Sequence, residues 1–334
     1  MNILMLMLST ADAIGGMEKH SQELANGLSE KGNDVTFASS ARHQTLLSPG
    51  IHRIVLDTQK SRRSPILLLS IVRIINSGRF DIIHGQGSKA ADVLSSISRF
   101  TSKSVKIATI HNFKTRYPSY NAFCRIIAVS KALANDIGAP NTRVVYNGLR
   151  PTTAEHTLND PPPAAEGPIW LSAGRLVKAK GFDFLIEAFK SVNGTLFIAG
   201  DGPEKANLEQ QISRTEQQGK IKMLGHRDDL RALMDVVDGI VISSLREGFS
   251  YVFAEALFAG KPIISTNVPI ANEFLDQNFI FHGSSPKAFG NMLNQNLEGL
   301  FAAQRQTRER ALRELTFYGM VEQTLRVYRE CHHD

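Results

Sequence analysis

The feature that most constrains this chain is an alternation of two periodicities. Short apolar runs recur at 2-NILMLML-8, 34-DVTFAS-39, 52-HRIVLD-57, 80-FDIIHG-85, 105-VKIATIH-111, 125-RIIAVS-130 and 142-TRVVYN-147. Segments with helical spacing lie between many of them. In 17-MEKHSQELANGLSEKG-32, Leu24 and Leu28 are four apart, and Gly32 stands where a helix stops. Strands that alternate with helices are joined by crossovers, so they form parallel βαβ units. After a break the alternation resumes at 169-IWLSAG-174, 194-GTLFIAG-200, 220-KIKMLG-225, 239-GIVISS-244 and 262-PIISTN-267. Helical patterns there cover roughly 181–193, 203–218, 227–237 and 250–259. The stretch 303–331 reads as one or two amphipathic helices.

The break is 151-PTTAEHTLNDPPPAAEGP-168, with five prolines and few apolar residues, which is linker composition. A chain of 334 residues is long enough for two domains of ordinary size. The expected fold class is therefore α/β, with two Rossmann-like doubly wound domains facing across a cleft. The expected divisions are a first domain at 1–150, a linker at 151–168, a second domain at 169–310 and a C-terminal helix at 311–334. That helix is expected to pack back on the first domain. In such sheets ligands bind beyond the carboxyl ends of the strands, so the cleft is the natural site.

Charge is unevenly placed. Residues 1–150 hold 19 Lys and Arg against 9 Asp and Glu; residues 151–334 hold 19 against 23. A basic half joined to an acidic half suggests that the first half meets something anionic. A solvated surface with no partner fits the count equally well. Two cysteines, Cys124 and Cys331, do not make a disulfide framework and read as free thiols in a reducing compartment. The apolar start MNILMLMLST lacks the basic lead and cleavage site of a signal peptide and reads as a buried first strand. The run 65-PILLLSIVRIINSG-78 is interrupted by Arg73 and is too short to span a membrane.

The chemistry gathers at strand ends. In 246-REGFSYVFAEALFAGKP-262, Glu247 follows a strand, and Gly248, Phe249 and Ser250 lead into a helix. Amides at a helix N-terminus can hold phosphate or sugar oxygens. Glu255 lies further along, among Val252, Ala254, Ala256 and Leu257. A carboxylate in such company needs donors, which the adjacent hydroxyls of a ribose would supply. On spacing alone, an acid on a solvated helix face reads equally well. In 172-SAGRLVKAKGFDF-184, Arg175 and Lys180 could neutralise a diphosphate, although two basic loop residues are more often plain surface. Gly15 and Gly16, between the first strand and the next helix, would let backbone approach a phosphate. The pair is not the G-x-G-x-x-G dinucleotide fingerprint. His111 ends a strand run and His84 lies within another; each reads as a sugar contact or as a structural hydrogen-bonding residue. Asp-x-Asp, zinc spacing, the P-loop motif and G-x-S-x-G are all missing from the sequence.

Taken together, the ordered elements resemble glycosyltransferase family 4, retaining sugar-nucleotide-dependent enzymes with the GT-B fold. They are 15-GGMEKHSQELANGLSEKGNDVTF-37, 80-FDIIHGQG-87, 109-TIHNF-113, 127-IAVS-130, 144-VVYNG-148, 173-AGRLVKAKGFDFLIEAF-189, 199-AGDGPE-204, 224-LGHRDDL-230 and 247-EGFSYVFAEALFAGKPIIST-266. The resemblance covers nearly the whole chain. It implies that Glu247 and Glu255 are the family's E-x7-E pair. Glu255 would bind the ribose hydroxyls, and Glu247 would lie near the reacting carbon of the transferred sugar. It also makes Arg175 and Lys180 the diphosphate-binding pair, Gly16 part of the donor-phosphate loop, and His111 the histidine near the donor sugar. The loops holding Gly202, His226 and Arg227 would border the nucleobase. One departure stands out. Many members carry Gly-Gly-x-x-Glu after the strand PIIST, whereas here Pro269-Ile270 replace the glycines and Glu273 keeps the acid.

The resemblance implies a nucleotide-diphosphate sugar as donor, no cofactor and no divalent metal, with His111, Glu247, Arg175 and Lys180 serving catalysis. Its partners would be a glycan or glycolipid acceptor and an anionic inner membrane touched peripherally, with no nucleic acid. The expected setting is cytoplasmic, as a monomer or weak dimer, in lipopolysaccharide or other surface-glycan synthesis. A GT-B sugar-nucleotide 2-epimerase and a non-catalytic sugar-nucleotide-binding subunit are the alternatives. The intact Arg175, Lys180, Glu247 and Glu255 set favours transfer over both. A Rossmann dehydrogenase is disfavoured by the missing glycine fingerprint.

Overall fold

A computed structural model describes residues 1–11, 14–101, 104–150 and 157–332. The chain divides into two compact units, Met1–Arg150 with Leu315–Asp334, and Pro151–Glu314.

The first unit is built on a seven-stranded parallel sheet. Its strands are β1 (Asn2–Met7), β2 (Asp34–Ser39), β3 (His52–Val55), β4 (Ile82–Gln86), β5 (Val105–Ile110), β6 (Arg125–Ala128) and β7 (Thr142–Val144), in the order β3-β2-β1-β4-β5-β6-β7. Helices α1 (Gly16–Glu30), α2 (Pro65–Ser77), α3 (Gly87–Ile97) and α4 (Lys131–Ile137) make the crossovers. The second unit repeats the plan with β8 (Ile169–Ala173), β9 (Thr195–Ala199), β10 (Ile221–Gly225), β11 (Gly239–Ile242), β12 (Ile263–Thr266) and β13 (Ile280–Phe281), ordered β10-β9-β8-β11-β12-β13. Its helices are α5 (Phe182–Phe189), α6 (Lys205–Arg214), α7 (Leu230–Asp235), α8 (Tyr251–Phe258), α9 (Pro269–Phe274), α10 (Pro286–Leu293), α11 (Leu297–Ala303) and α12 (Arg305–Glu314).

Central strands such as β1 and β9 are buried on both faces, which is why they read as unbroken apolar runs rather than as alternation. All twelve strand runs of the sequence are strands here; the two-residue edge strand β13 was missed because it is too short to show a period. In each sheet the order reverses once, between β1 and β4 and between β8 and β11. Such a reversal opens a crevice at the carboxyl ends of the two strands, because their crossovers leave in opposite directions.

The chain returns to the first unit at Leu315. Leu149 N–H donates to the Leu315 carbonyl at 2.8 Å, and Phe317 N–H donates to the Leu149 carbonyl at 2.8 Å. A last helix, α13 (Phe317–His332), then packs Phe317, Met320, Val321, Leu325 and Tyr328 into the first core beside Leu24 and Leu28 of α1. A Cβ on Gly27 would meet Val321 at 2.4 Å, so this contact requires glycine on α1. The sequence placed the division at 310/311; the structure puts it after Glu314, where α12 ends. The stretch 157–168 holds no helix or strand, and 151–156 lies outside the described residues.

The cysteines correct the sequence reading. Cys124, beside β6, and Cys331, on α13, form a disulfide with their Cα atoms 5.9 Å apart. The 207 residues that separate them in sequence concealed a pairing that only the return of α13 creates.

Candidate functional site

In the second unit, the loop after β8 and the loop after β11 meet at the reversal. The first loop is forced into place by glycine. Gly181 has φ +62°, and a Cβ there would lie 2.2 Å from the Ser243 carbonyl oxygen at the end of β11. Gly200, after β9, has φ +152°, and a Cβ there would stand 1.9 Å from the Gly174 carbonyl oxygen. Only glycine allows such backbone-to-backbone approach in that conformation. The Gly-Asp-Gly turn thus acts as a brace for the loop that carries Arg175 and Lys180.

Lys180 Nζ donates to Glu247 Oε1 at 2.7 Å, joining the loop after β8 to the loop after β11. The Lys180 side chain is 25% exposed and that of Glu247 is 5% exposed. Ser244 Oγ donates to the same Glu247 oxygen. Arg175 is exposed on the same loop. This puts two cations at the carboxyl end of β8, one of them held by a buried carboxylate. Breaking a buried pair by removing one partner costs several times the worth of an exposed pair, so Lys180 is firmly held. Ser244 escaped the sequence reading because a serine at a strand end carries no spacing signal.

Helix α8 starts at Tyr251, after Ser250 as N-cap, whose hydroxyl accepts from Phe253 N–H at 3.4 Å. The sequence set the start near Phe249 or Ser250. Gly248 and Ser250 are buried and Phe249 is half-buried, its ring edge-on to Tyr251 with centroids 5.5 Å apart. Glu255 is half-buried on the second turn. Pro269 is the first residue of α9, a position that proline favours because the missing N–H would be unpaired anyway.

His226 and Arg227 separate from each other. His226 is exposed and lies 2.9 Å from Asp228. Arg227 is held by both oxygens of Asp229, at 2.7 and 2.6 Å, and donates to the Asp160 carbonyl at 2.8 Å. Its guanidinium is thus engaged in pinning the stretch before β8 to the start of α7. Gly202 has φ +158°, and a Cβ there would lie 2.5 Å from the Leu176 carbonyl oxygen.

The first unit has a different edge. Gly15 caps α1, and its N–H donates to Glu18 Oε2 at 3.0 Å while Ser9 Oγ donates to Glu18 Oε1. Glu18 is 5% exposed and sits three residues after the cap, the spacing of a capping box. The sequence reading passed over it, although that spacing was the signal. Gly16 is the first residue of α1. His111 directly follows β5 and is 7% exposed, with Nε2 3.0 Å from Gln86 Oε1. His84 is fully buried between the Tyr328 hydroxyl on Nδ1 and Thr109 Oγ1 on Nε2, each at 2.7 Å. Its structural reading is the one the geometry supports. His20 of α1 stands edge-on to His111, ring centroids 4.8 Å apart. Both its nitrogens are buried without a hydrogen-bond partner among the described residues. Burial disfavours the charged form of all three rings. It lowers His84 to about 3 and His20 to about 4, the latter against the opposing effect of the Asn147 side chain. His111 is held well below its usual range by burial and then by the neighbouring His20 and His84. At neutral pH the cluster is therefore uncharged.

Two doubly wound units whose second sheet carries a cationic pair and an acid at its reversal define a protein of the GT-B architecture. The chain belongs to the glycosyltransferases: residues 14–152 match the model for Glycosyltransferase Family 4, and residues 155–313 match the model for Glycosyl transferases group 1. It is similar to the lipopolysaccharide core biosynthesis glycosyltransferase LpsE of Rhizobium meliloti, at 28% identity over 75% of this chain and 76% of the relative. It is also similar to the O-antigen biosynthesis glycosyltransferase WclY of Escherichia coli, at 27% identity over 60% of this chain and 64% of the relative. The structure of HepE from Anabaena in complex with UDP and glucose shares the fold, with a TM-score of 0.80 at 20% identity over 99% of this chain and 100% of that one.

Proposed function

We propose that this chain is a retaining glycosyltransferase. It moves a sugar from a nucleoside-diphosphate sugar to a hydroxyl of a glycan or glycolipid acceptor, in the assembly of lipopolysaccharide or another bacterial surface polysaccharide. The observation that carries the reading is the Lys180–Glu247 pair at the reversal of the second sheet, with Arg175 on the same loop. The names of the Rhizobium and Escherichia coli relatives support the class of product. The UDP and glucose in the Anabaena structure support the class of donor.

A nucleoside diphosphate gains negative charge as its bond to the sugar breaks. Fixed cations beside it therefore stabilise the transition state more than the ground state. Arg175 and Lys180 supply that charge, which removes the need for a divalent metal. Glu247 orients Lys180 and lies near the reacting carbon; Glu255 takes the ribose hydroxyls. The backbone at Gly248, Phe249 and Ser250 meets donor oxygens, and the turns at Gly202, His226 and Arg227 border the base. His111, neutral, hydrogen-bonds a hydroxyl of the transferred sugar, and Gly15 and Gly16 approach a donor phosphate. The acceptor oxygen forms its bond to the anomeric carbon on the face the leaving oxygen vacates. The departing phosphate takes the acceptor's proton, so no strong side-chain base is required. The reaction belongs on the cytoplasmic side of the membrane, with peripheral attachment. No helix among the described residues is long and apolar enough to cross.

The test is a thermal-shift screen of the purified protein against UDP-, GDP-, ADP- and CMP-linked sugars, with and without EDTA. A ligand that binds the native state raises Tm by linkage. One selective rise that EDTA leaves unchanged is expected. A flat screen, repeated with membrane extract as acceptor source, would sink the donor site; a rise abolished by EDTA would overturn the metal-free reading.

A further inference from the structure

We infer that Gln86 is a positioning residue: its amide oxygen holds the ring N–H of His111 on Nε2 and leaves Nδ1 as a lone-pair acceptor, ready for a hydroxyl that brings its own proton. The inference rests on the reading of His111 as a sugar contact, which it deepens by naming the kind of group taken.

The arrangement begins with the period of a strand. His84 and Gln86 are two apart on β4, and Thr109 and His111 are two apart at the end of β5. Alternate residues share a face, and Gln86 lies beside Thr109 in the register of the two strands. The four side chains therefore stand on one side of the sheet, and all are buried.

Gln86 is 1% exposed, and its Oε1 lies 3.0 Å from His111 Nε2. Its Nε2 lies 3.5 Å from His84 Nδ1 and 3.3 Å from His84 Nε2. Both of those ring nitrogens are already engaged, by the Tyr328 hydroxyl and by Thr109 Oγ1. An atom nearly equidistant from both nitrogens sits over the ring face, because an approach in the ring plane would run into the carbon between them. The face of an aromatic ring is electron-rich, so it attracts an N–H and repels a carbonyl oxygen. The His84 ring thus decides which way round the Gln86 amide stands, and it points the oxygen at His111. An apolar side chain could fill the same space. Only an amide supplies a donor to one ring and an acceptor to the other.

An amide oxygen accepts and never donates, so His111 Nε2 carries the proton between them. Burial, then His20 and His84, hold His111 well below its usual range, so at neutral pH the ring has one N–H and not two. Its Nδ1 keeps a lone pair. That nitrogen has no hydrogen-bond partner among the described residues, yet it is not sealed in as both nitrogens of His20 are. It therefore opens to the surface that leaves His111 7% exposed. A group that meets this lone pair must donate. A sugar hydroxyl does so, whereas a carboxylate or phosphate oxygen would set lone pair against lone pair.

The experiment is nitrogen magnetic resonance of the full chain at neutral pH, with isotope-labelled histidine and no ligand. Correlations between ring protons and ring nitrogens tell the two tautomers apart, and the signals lost in His111→Gln assign the ring. His111 is expected to carry its proton on Nε2, protected from exchange with water. Gln86→Leu and Gln86→Met remove the acceptor. In each, the share protonated on Nδ1 is expected to rise, and exchange of the Nε2 proton to quicken about tenfold or more, as loss of one hydrogen bond implies. Circular dichroism and melting check that the variants fold, and the wild-type spectrum decides the tautomer even if neither does. A wild-type ring protonated on Nδ1, or on both nitrogens, would overturn the proposal. So would tautomer and exchange left unchanged in a folded variant, since a side chain that only fills space would give that result. No donor is present in this assay, so its failure leaves the transfer reading standing, and a failed donor screen leaves the tautomer standing.

Discussion

The two units run the same topology and present opposite chemistry at their sheet edges. At the second sheet's reversal stand Arg175, Lys180 and Glu247, with an ion pair at 2.7 Å and an exposed guanidinium. Near the first sheet's reversal stand Glu18, satisfied by its own capping turn, and a neutral cluster of His20, His84 and His111. One scaffold offers cations, the other a carboxylate already satisfied by its own turn and neutral imidazoles. The difference shows that strand order fixes where a site forms, while the loop residues decide what it can bind.

The largest expected effect breaks the charged edge. Arg175→Ala with Lys180→Ala should lower turnover by about a thousandfold or more, since both fixed cations are lost. Steady-state rates on the donor found by the thermal screen check this, and near-wild-type rates would remove the diphosphate role. The two residues should part in stability. Arg175→Ala, exposed, should change stability by less than ~0.5 kcal/mol. Lys180→Ala leaves Glu247 buried with Ser244 alone and should cost more, about 3 kcal/mol.

The next effect belongs to the first unit alone. The Cys124–Cys331 bridge ties α13 to β6 across a long closed loop, so reduction or Cys331→Ser should cost about 2–4 kcal/mol. Melts with and without reductant measure it. Two thiols titrating in unreduced protein would show that the bridge does not form.

The most gradual effect reads the neutral cluster. His20 and His84 have folded values near 4 and 3, below the ordinary 6.5 of the unfolded chain. Between those limits the unfolded state binds more protons, so stability is constant above about pH 6.5 and falls as pH drops toward 4. The slope is at most about 1.4 kcal/mol per pH unit for each histidine. Melts across this range should show the fall, and His20→Leu should flatten it. An unchanged slope in that variant would mean that His20 does not contribute to the acid limb.

Much of the fold was legible before any coordinates, because buried parallel strands must be apolar on both faces and therefore stand out as runs. The site was legible only as types at strand ends. Spacing identified Glu247 and Lys180 as candidates, but their contact spans 67 residues of sequence and depends on Gly181 bringing its loop against Ser243. Arg227 shows the reverse case: a basic residue in a suitable loop whose fork is taken by Asp229 and Asp160.

By itself the sequence determined the two alternating halves, the proline-rich break between them, the basic bias of the first half and the family motifs. These follow from local periodicity, composition and residue order, which need no neighbours in space. Only the tertiary structure decided that Cys124 meets Cys331, that Glu247 is buried around Lys180, and that Ile66 and Leu69 face outward while Leu67 and Ile71 face the core. Each of these depends on residues far apart in the chain, or on which side of a two-faced helix the sheet occupies, and an apolar residue carries the same pattern whichever side that is.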